Sequence, residues 1–480
     1  MIRRGCDPSE AFLLHPMCIV GADNRGHAGC EWIYTTLKSA SLMSKAIRRS
    51  VMRRARTHEE WTFMDKSTTH YTHAMHLYPA RMHPEIARRV IAKYAPDHHN
   101  VVLDPFVGSG GVLLEAILHG NNAIGIDINP FAILLSKVKT TLVNKNLVRA
   151  LDKITLKAAA DCSKQICYSD DMPELLDLET WYKPSLLNAL AALRHHVFQI
   201  RDLNVRDFFK ICFSLTSRKV SYQRNGSWKI HRMSANDRRT FALDPLTIFS
   251  SIAKSNICRM SDLLSAKPKG VAYAIHGDSR DITSVFSSFN HGVLEDKKAH
   301  LVVTSPPYGD HKTTVAYGQF SRHLGLWLGL PADDVLHVDR NGLGGRSRDY
   351  GDLGSDTLNT TLDKVEKNDL EITRNNKPHR TREVYSFFYD LDQCMREVSR
   401  NLVRRKSHCC FVVANRTVRR VRVPTDQITV ELGKKYGLRT RLQIPRMIPN
   451  KVLPTKNAPE NISHNTCETM TKEMVIIMSY

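Results

Sequence analysis

Val101-Val102-Leu103-Asp104-Pro105-Phe106-Val107-Gly108-Ser109-Gly110-Gly111 is followed by the amphipathic run Val112-Leu113-Leu114-Glu115-Ala116-Ile117-Leu118. A buried strand, a turn whose glycines let a ligand approach the backbone, and a helix make the first unit of a doubly wound α/β sheet. A second apolar run, Ala123-Ile124-Gly125-Ile126, ends in Asp127. An acid at the tip of the second strand is placed to accept both hydroxyls of a ribose. The turn lacks the GxGxxG spacing of a dinucleotide site, and the carboxylate of Asp104 beside it would repel a pyrophosphate. That carboxylate suits a cation such as an amino acid's ammonium group.

A second unusual strand end lies downstream. Leu301-Val302-Val303 leads into Thr304-Ser305-Pro306-Pro307-Tyr308-Gly309-Asp310. The two prolines fix φ and remove two backbone donors, which leaves carbonyls free to accept hydrogen bonds in a rigid turn. Such a turn can hold a planar amino group. Between the two motifs, Val271-Ala272-Tyr273-Ala274-Ile275 reads as a strand that puts Asp278 at its end, where ligands of open α/β sheets bind.

Of the 480 residues, 42% are hydrophobic, enough for a large globular chain, and 69 Lys+Arg against 48 Asp+Glu give a formal charge of +21. That balance favours a polyanionic partner. Eleven cysteines without a CxxC pair read as reduced thiols. His70, His73, His76 and His83 lack a carboxylate or cysteine at ligand spacing, so no metal is expected. The absence of a secretory signal and of a bilayer-length apolar run predicts a cytoplasmic protein without a membrane partner.

The organisation follows from the motif positions. Residues 1–60 form a basic extension ending in Lys45, Arg48, Arg49, Arg53, Arg54 and Arg56, and 61–140 hold the cofactor turn. Residues 141–270 read as a helical insertion, with helices over 183–200 and 206–215. Within it, 219–239 interleaves Tyr222, Arg224, Trp228, Lys229, His231, Arg232, Arg238 and Arg239, a mixture suited to phosphates and stacked bases. The sheet resumes over 271–330. Residues 331–383, with Gly342, Gly344 and Gly345, read as a long exposed loop and a candidate target-recognition segment. Over 384–480 a helix, a buried strand, a second helix and a hairpin of 438–444 with 473–478 would close the sheet with an antiparallel edge strand.

Asp104-Pro105-Phe106-Val107-Gly108-Ser109-Gly110 and Thr304-Ser305-Pro306-Pro307-Tyr308, present in one chain, resemble the cofactor and catalytic motifs of the amino-group DNA methyltransferases that use S-adenosylmethionine. The likeness is greatest to the cytosine-N4 enzymes of restriction–modification systems. It implies a mostly parallel Rossmann-like methyltransferase sheet, double-stranded DNA as substrate and a cognate restriction endonuclease acting at the same site. The stretch 72–81 is similar to the upstream element that lies against the methionine end of the cofactor. By this resemblance Thr72, Asp104, Phe106, Gly108, Gly110 and Thr304 belong to the cofactor site, Asp127 holds the ribose and Asp278 meets the adenine. Ser305 Oγ and the Pro306 carbonyl would accept the two amino hydrogens, Pro307 would keep the turn rigid, and Tyr308 would stack on the extruded base.

Serine at 305, where adenine-N6 relatives more often carry Asp or Asn, favours cytosine-N4. Adenine-N6, an RNA amine and a silent DNA-binding module stand as alternatives. Gly111 departs from the threonine of many relatives, and the insertion between Asp127 and Asp278 leaves the target-recognition region unplaced. The order of the motifs excludes the permuted arrangement.

Overall fold

A computed structural model describes residues 61–224, 229–289, 298–312, 314–372, 380–448, 456–457, 467–468 and 470–480. The basic extension 1–60 and Trp228 lie outside them.

The sheet contains β1 (Val101–Asp104), β2 (Asn122–Asp127), β3 (Ala272–His276), β4 (Leu301–Thr304), β5 (His408–Val413), β6 (Arg439–Met447) and β7 (Lys472–Ser479), in the order β3-β2-β1-β4-β5-β7-β6. β1 to β5 pair in parallel, and β7 is antiparallel to both of its neighbours. Every residue of β1 and β4 is buried, as the unbroken apolar runs require of parallel strands covered on both faces. The antiparallel strand lies one place inside the edge. Val475, Ile476, Ile477 and Met478 of β7 are buried, whereas β6 begins with the exposed Arg439, Thr440 and Arg441. The more apolar strand of the pair takes the inner place, and charge protects the outer one.

Helices cover both faces. On one, Ile86, Val90 and Ile91 of α1 (Pro84–Tyr94) pack with Leu113 of α2 (Gly111–Leu118) on Val102, Val303 and Val412. α1 has Pro84 in its first turn, where proline is tolerated, and the His83 ring accepts from the Glu85 amide. On the other face, Phe387, Phe388 and Leu391 of helix Arg380–Arg400 pack on Leu103, Val302 and Phe411.

The insertion is helical as read, with Leu147–Ser163, Pro184–Phe198, Leu203–Lys219 and Pro245–Ser265 as its long members. Their core also takes in Phe131 and Leu135 of α3 (Pro130–Thr140), and Leu324 and Trp327 of helix Tyr317–Trp327. Trp327 is fully buried and its indole donates to the Tyr182 hydroxyl at 2.9 Å. The insertion therefore braces the chain that follows the catalytic motif.

The loop expected over 331–383 is corrected by helices Ala332–Asn341 and Asp356–Ile372. Apolar residues there are few but share a face: Val335 and Val338 are buried in the first helix, Leu358 and Val365 in the second. Ser355 Oγ caps the second by accepting from the Leu358 amide at 3.1 Å. Low overall apolar content conceals a short buried stripe on each helix. Among the described residues no helix is long and apolar enough to cross a membrane.

Candidate functional site

Parallel strands present their carboxyl ends on one edge, so Asp104, Asp127, Asp278 and Ser305 arrive on the same side of the sheet. β4 pairs with β1 on the side opposite β2, and the crevice opens where the strand order reverses. There the two sequence motifs meet. Thr304 Oγ1 donates to Asp104 Oδ1 at 2.6 Å across 200 positions, and the Phe106 amide donates to the same oxygen at 3.1 Å.

The glycine turn is fixed by space as well as by conformation. Gly110 has φ +76°, and a Cβ there would fall 2.8 Å from Ser136 Cα. Asp127 holds the turn from the second strand, its Oδ2 accepting from the Gly108 amide at 3.0 Å and its Oδ1 from the Asn129 amide at 2.9 Å.

A cavity of about 1170 Å³, open mouth included, lies over this edge. Asp104, Phe106, Gly108, Asp127, Asp278, Ser305 and Pro307 line it. Gly110, Thr304, Pro306 and Tyr308 stand behind or beside that wall. Thr304 is fully buried and acts on the cavity through Asp104.

Thr72 is also fully buried, and its hydroxyl donates to the Lys139 carbonyl at 2.7 Å. It ties the upstream loop to α3, and the expected cavity contact passes to the residues after it, Tyr78, Arg81 and His83 among them. Other histidines of this loop are engaged inside the protein: His73 Nε2 with Glu115 at 2.8 Å and His76 Nδ1 with the Leu77 carbonyl at 2.6 Å.

Burial dominates the electrostatics. It pushes the Asp104 carboxyl up to about 7, against the pull of the Thr304 hydroxyl and the Phe106 amide, with the Asp127 charge adding to the rise. It pushes Asp127 up to about 6, partly offset by the Asn129 and Gly108 amides. Neither acid has an ion-pair partner among the described residues. Two close carboxylates without a cation suit a positively charged ligand. Asp278 differs, being gripped by Arg280, whose Nη2 lies 2.6 Å from Oδ2.

Residues that the sequence did not single out support the turn over 304–310. Tyr308 donates its hydroxyl to Glu473 Oε1 of β7 at 2.9 Å, and Ser305 Oγ donates to the Tyr308 oxygen at 3.3 Å. Glu473 in turn pairs with the buried Arg446 of β6, which also donates to the Trp61 carbonyl at 2.8 Å. The direction of this chain is fixed at its end, because a carboxylate only accepts. Tyr308 must therefore donate to Glu473 and accept from Ser305, which leaves the serine lone pairs free on the cavity side. At the far end of the turn Asp310 forms a buried ion pair with Arg416. A Cβ on Gly309 would fall 2.2 Å from the Arg416 guanidinium, so glycine is required between them. Tyr78 and Tyr317, with ring centroids 5.9 Å apart, add an aromatic wall.

Residues 29–138 match a family model described as DNA methylase, and residues 86–273 match one described as D12 class N6 adenine-specific DNA methyltransferase. The type II methyltransferase M.MvaI of Kocuria varians is 32% identical over 429 residues, covering 87% of this chain and 92% of that protein. The type II methyltransferase M.MjaII of Methanocaldococcus jannaschii is 35% identical over 95 residues, covering 19% of this chain and 17% of that protein. A tRNA (guanine(10)-N2)-dimethyltransferase of the same archaeon is 34% identical over 92 residues, 19% of this chain and 24% of that protein.

Proposed function

Because the chain belongs to the DNA amino-methyltransferases of type II restriction–modification systems, we propose that it transfers a methyl group from S-adenosylmethionine to the exocyclic N4 amine of a flipped cytosine in double-stranded DNA. The observation that carries this reading is Ser305, which lines the same cavity as two acids without an ion-pair partner among the described residues, the buried Asp104 and the half-buried Asp127.

The donor set fits the cofactor. Asp104 would hold the ammonium group, Asp127 the ribose hydroxyls, and the apolar end formed by Ile128, Val338 and Leu343, edged by Asp278, the adenine. When bound, S-adenosylmethionine supplies an electrophilic methyl group on a sulfonium centre. The protein's task is to make a poor nucleophile point at it. The lone pair of cytosine N4 is delocalised into the ring, and hydrogen bonds from both amino hydrogens to fixed acceptors favour a pyramidal nitrogen.

Ser305 Oγ is such an acceptor, because its own proton is directed to Tyr308. The Pro306 carbonyl is the second. The Tyr308 ring, its hydroxyl anchored on Glu473, would stack on the extruded base. The nitrogen becomes acidic on methylation and loses its surplus proton without a strong base.

Adenine-N6 is the second reading, favoured by the match over residues 86–273 to the D12 class. The two separate in one assay. Labelled S-adenosylmethionine is incubated with unmethylated DNA, the product is digested to nucleosides, and the modified base is identified by mass spectrometry. N4-methylcytosine is expected. Recovery of 6-methyladenine alone overturns the cytosine assignment.

A pH dependence follows from Asp104. An ammonium partner favours the ionised carboxylate, so below about pH 7 binding must first displace a proton from Asp104. Affinity should therefore fall as pH drops through 7 toward 6, by about tenfold per pH unit at the steepest, and level off above pH 7. Calorimetric titration with S-adenosylmethionine at pH 8 and pH 6 measures this. Equal affinity at both would contradict an ammonium contact at Asp104.

A further inference from the structure

Two stretches that the sequence sets apart, 219–239 for its basic and aromatic residues and 331–383 as a candidate for target recognition, meet in space. Ile230 of the first and Arg340 of the second line one open cleft, with Trp181 of the helical insertion on its wall and Arg322 of the helix after the catalytic turn. His311 and Asp339 line this cleft and the cavity over the strand ends alike, so the two spaces are neighbours.

The charge of the cleft is one-sided. Asp339, its carboxylate, is engaged by the Gly318 and Gln319 amides at 2.7 Å and 3.0 Å. Lys312 is offset by Glu383 at 2.7 Å. Among the described residues Arg322 and Arg340 have no carboxylate within ion-pair range, and the Arg322 Nε is buried without a hydrogen-bond partner. A guanidinium without a carboxylate partner keeps its donors available to an anionic ligand. At the junction, His311 Nδ1 is likewise buried without a partner.

The walls are tied together. His323 of the helix after the catalytic turn bonds Gln223 of the 219–239 segment at 2.7 Å and meets the Trp181 ring edge-on at 4.8 Å. Burial lowers the His323 ring to about 4, so it stays neutral and adds no charge to the cleft at pH 7. The arginines remain the fixed cations.

We propose that this cleft seats the DNA strand that carries the target base, with Arg322 and Arg340 on phosphates flanking the flipped nucleotide and His311 at the passage through which the base enters the catalytic cavity. The proposal rests on the reading of the chain as a DNA methyltransferase. It assigns target-strand binding to the helical insertion acting together with the segment around 340. The occupant is a nucleic-acid backbone because the free groups are guanidinium donors at the mouth of a site that needs an everted base.

The test is the salt dependence of binding to an unmethylated mixed-sequence DNA duplex, in the full-length protein, between about 50 and 200 mM salt. Arg322→Ala and Arg340→Ala should each lower the slope of log affinity against log salt by about one, as expected for one lost phosphate contact. Arg→Lys at either position should restore the slope, and S-adenosylmethionine affinity should stay at the wild-type level in all four variants. A wild-type slope in both alanine variants, with cofactor affinity intact, overturns the assignment of the cleft. Arg340 is exposed, so its variant folds even if the Arg322 change disturbs packing. A wild-type protein that binds and methylates RNA but not DNA would instead defeat the reading on which the proposal stands. An unchanged slope in the variants of a protein that does methylate DNA defeats the cleft alone.

Discussion

Ser305→Ala lowers turnover by about 100- to 1000-fold, the magnitude of removing one preorganised acceptor or donor from a transition state, while S-adenosylmethionine affinity changes by less than about threefold. The separation follows from where the serine hydroxyl points. Its proton goes to Tyr308, whose own proton goes to Glu473. Neither lone pair of Ser305 is needed to hold the turn, because the prolines and the Asp310–Arg416 ion pair do that. Alanine therefore removes an acceptor for the amine and leaves the cofactor wall standing. It also leaves the Tyr308 oxygen without its donor, a loss confined to a group beside the cavity. Single-turnover kinetics with saturating DNA, set against equilibrium cofactor binding, measure the two effects separately. A large loss of cofactor affinity in this variant would mean that Ser305 supports the cavity rather than the reacting amine.

The site was legible in the sequence where chemistry coincides with a strand end. Asp104, Asp127, Asp278 and Ser305 each follow an apolar run, and parallel strands must carry such residues to a common edge. Their convergence needed only the strand pattern. Glu473 could not be found that way. It lies 165 positions from Tyr308, and its approach depends on β7 entering the sheet between β5 and β6. Nothing in the residues around Glu473 records which turn it will face.

Thr72 shows the opposite failure. Its place in the upstream loop suggests a cofactor contact, whereas a turn of 3-10 helix directs its hydroxyl to the Lys139 carbonyl. Loops lack the simple period that assigns a strand residue to one face. The helices within 331–383 were hidden for a related reason, since a pair of buried positions per face is enough to dock a helix onto an existing core.

Asp127→Ala is expected to produce the complementary result, a loss of cofactor affinity of about 100-fold with turnover at saturating cofactor within about threefold of wild type, corresponding to roughly 3 kcal/mol for two hydroxyl hydrogen bonds to a charged acceptor. A carboxylate has about four acceptor positions, and the Gly108 and Asn129 amides occupy two. The Ile128 amide also pulls on this carboxylate, and the acceptor capacity left over would serve adjacent ribose hydroxyls. Removing the side chain also strips the Gly108 amide of its partner and loosens a turn whose glycine has φ +47°. Asp127→Asn does not rescue this fully. An amide can accept from one of the two backbone donors but turns its NH₂ toward the other.

The same variant also tests the coupling between Asp127 and Asp104. The negative charge of Asp127 is among the causes of the raised Asp104 pKa. With that charge gone, Asp104 ionises at lower pH, and the pH at which cofactor affinity begins to fall should move down from about 7. Calorimetry over pH 5 to 8 on wild type and Asp127→Ala reads both changes together. An unshifted midpoint would mean that the Asp127 charge does not bear on the Asp104 carboxyl. A lowered midpoint requires the two carboxylates to sense each other across one cavity, with Asp104 answering to the ammonium group.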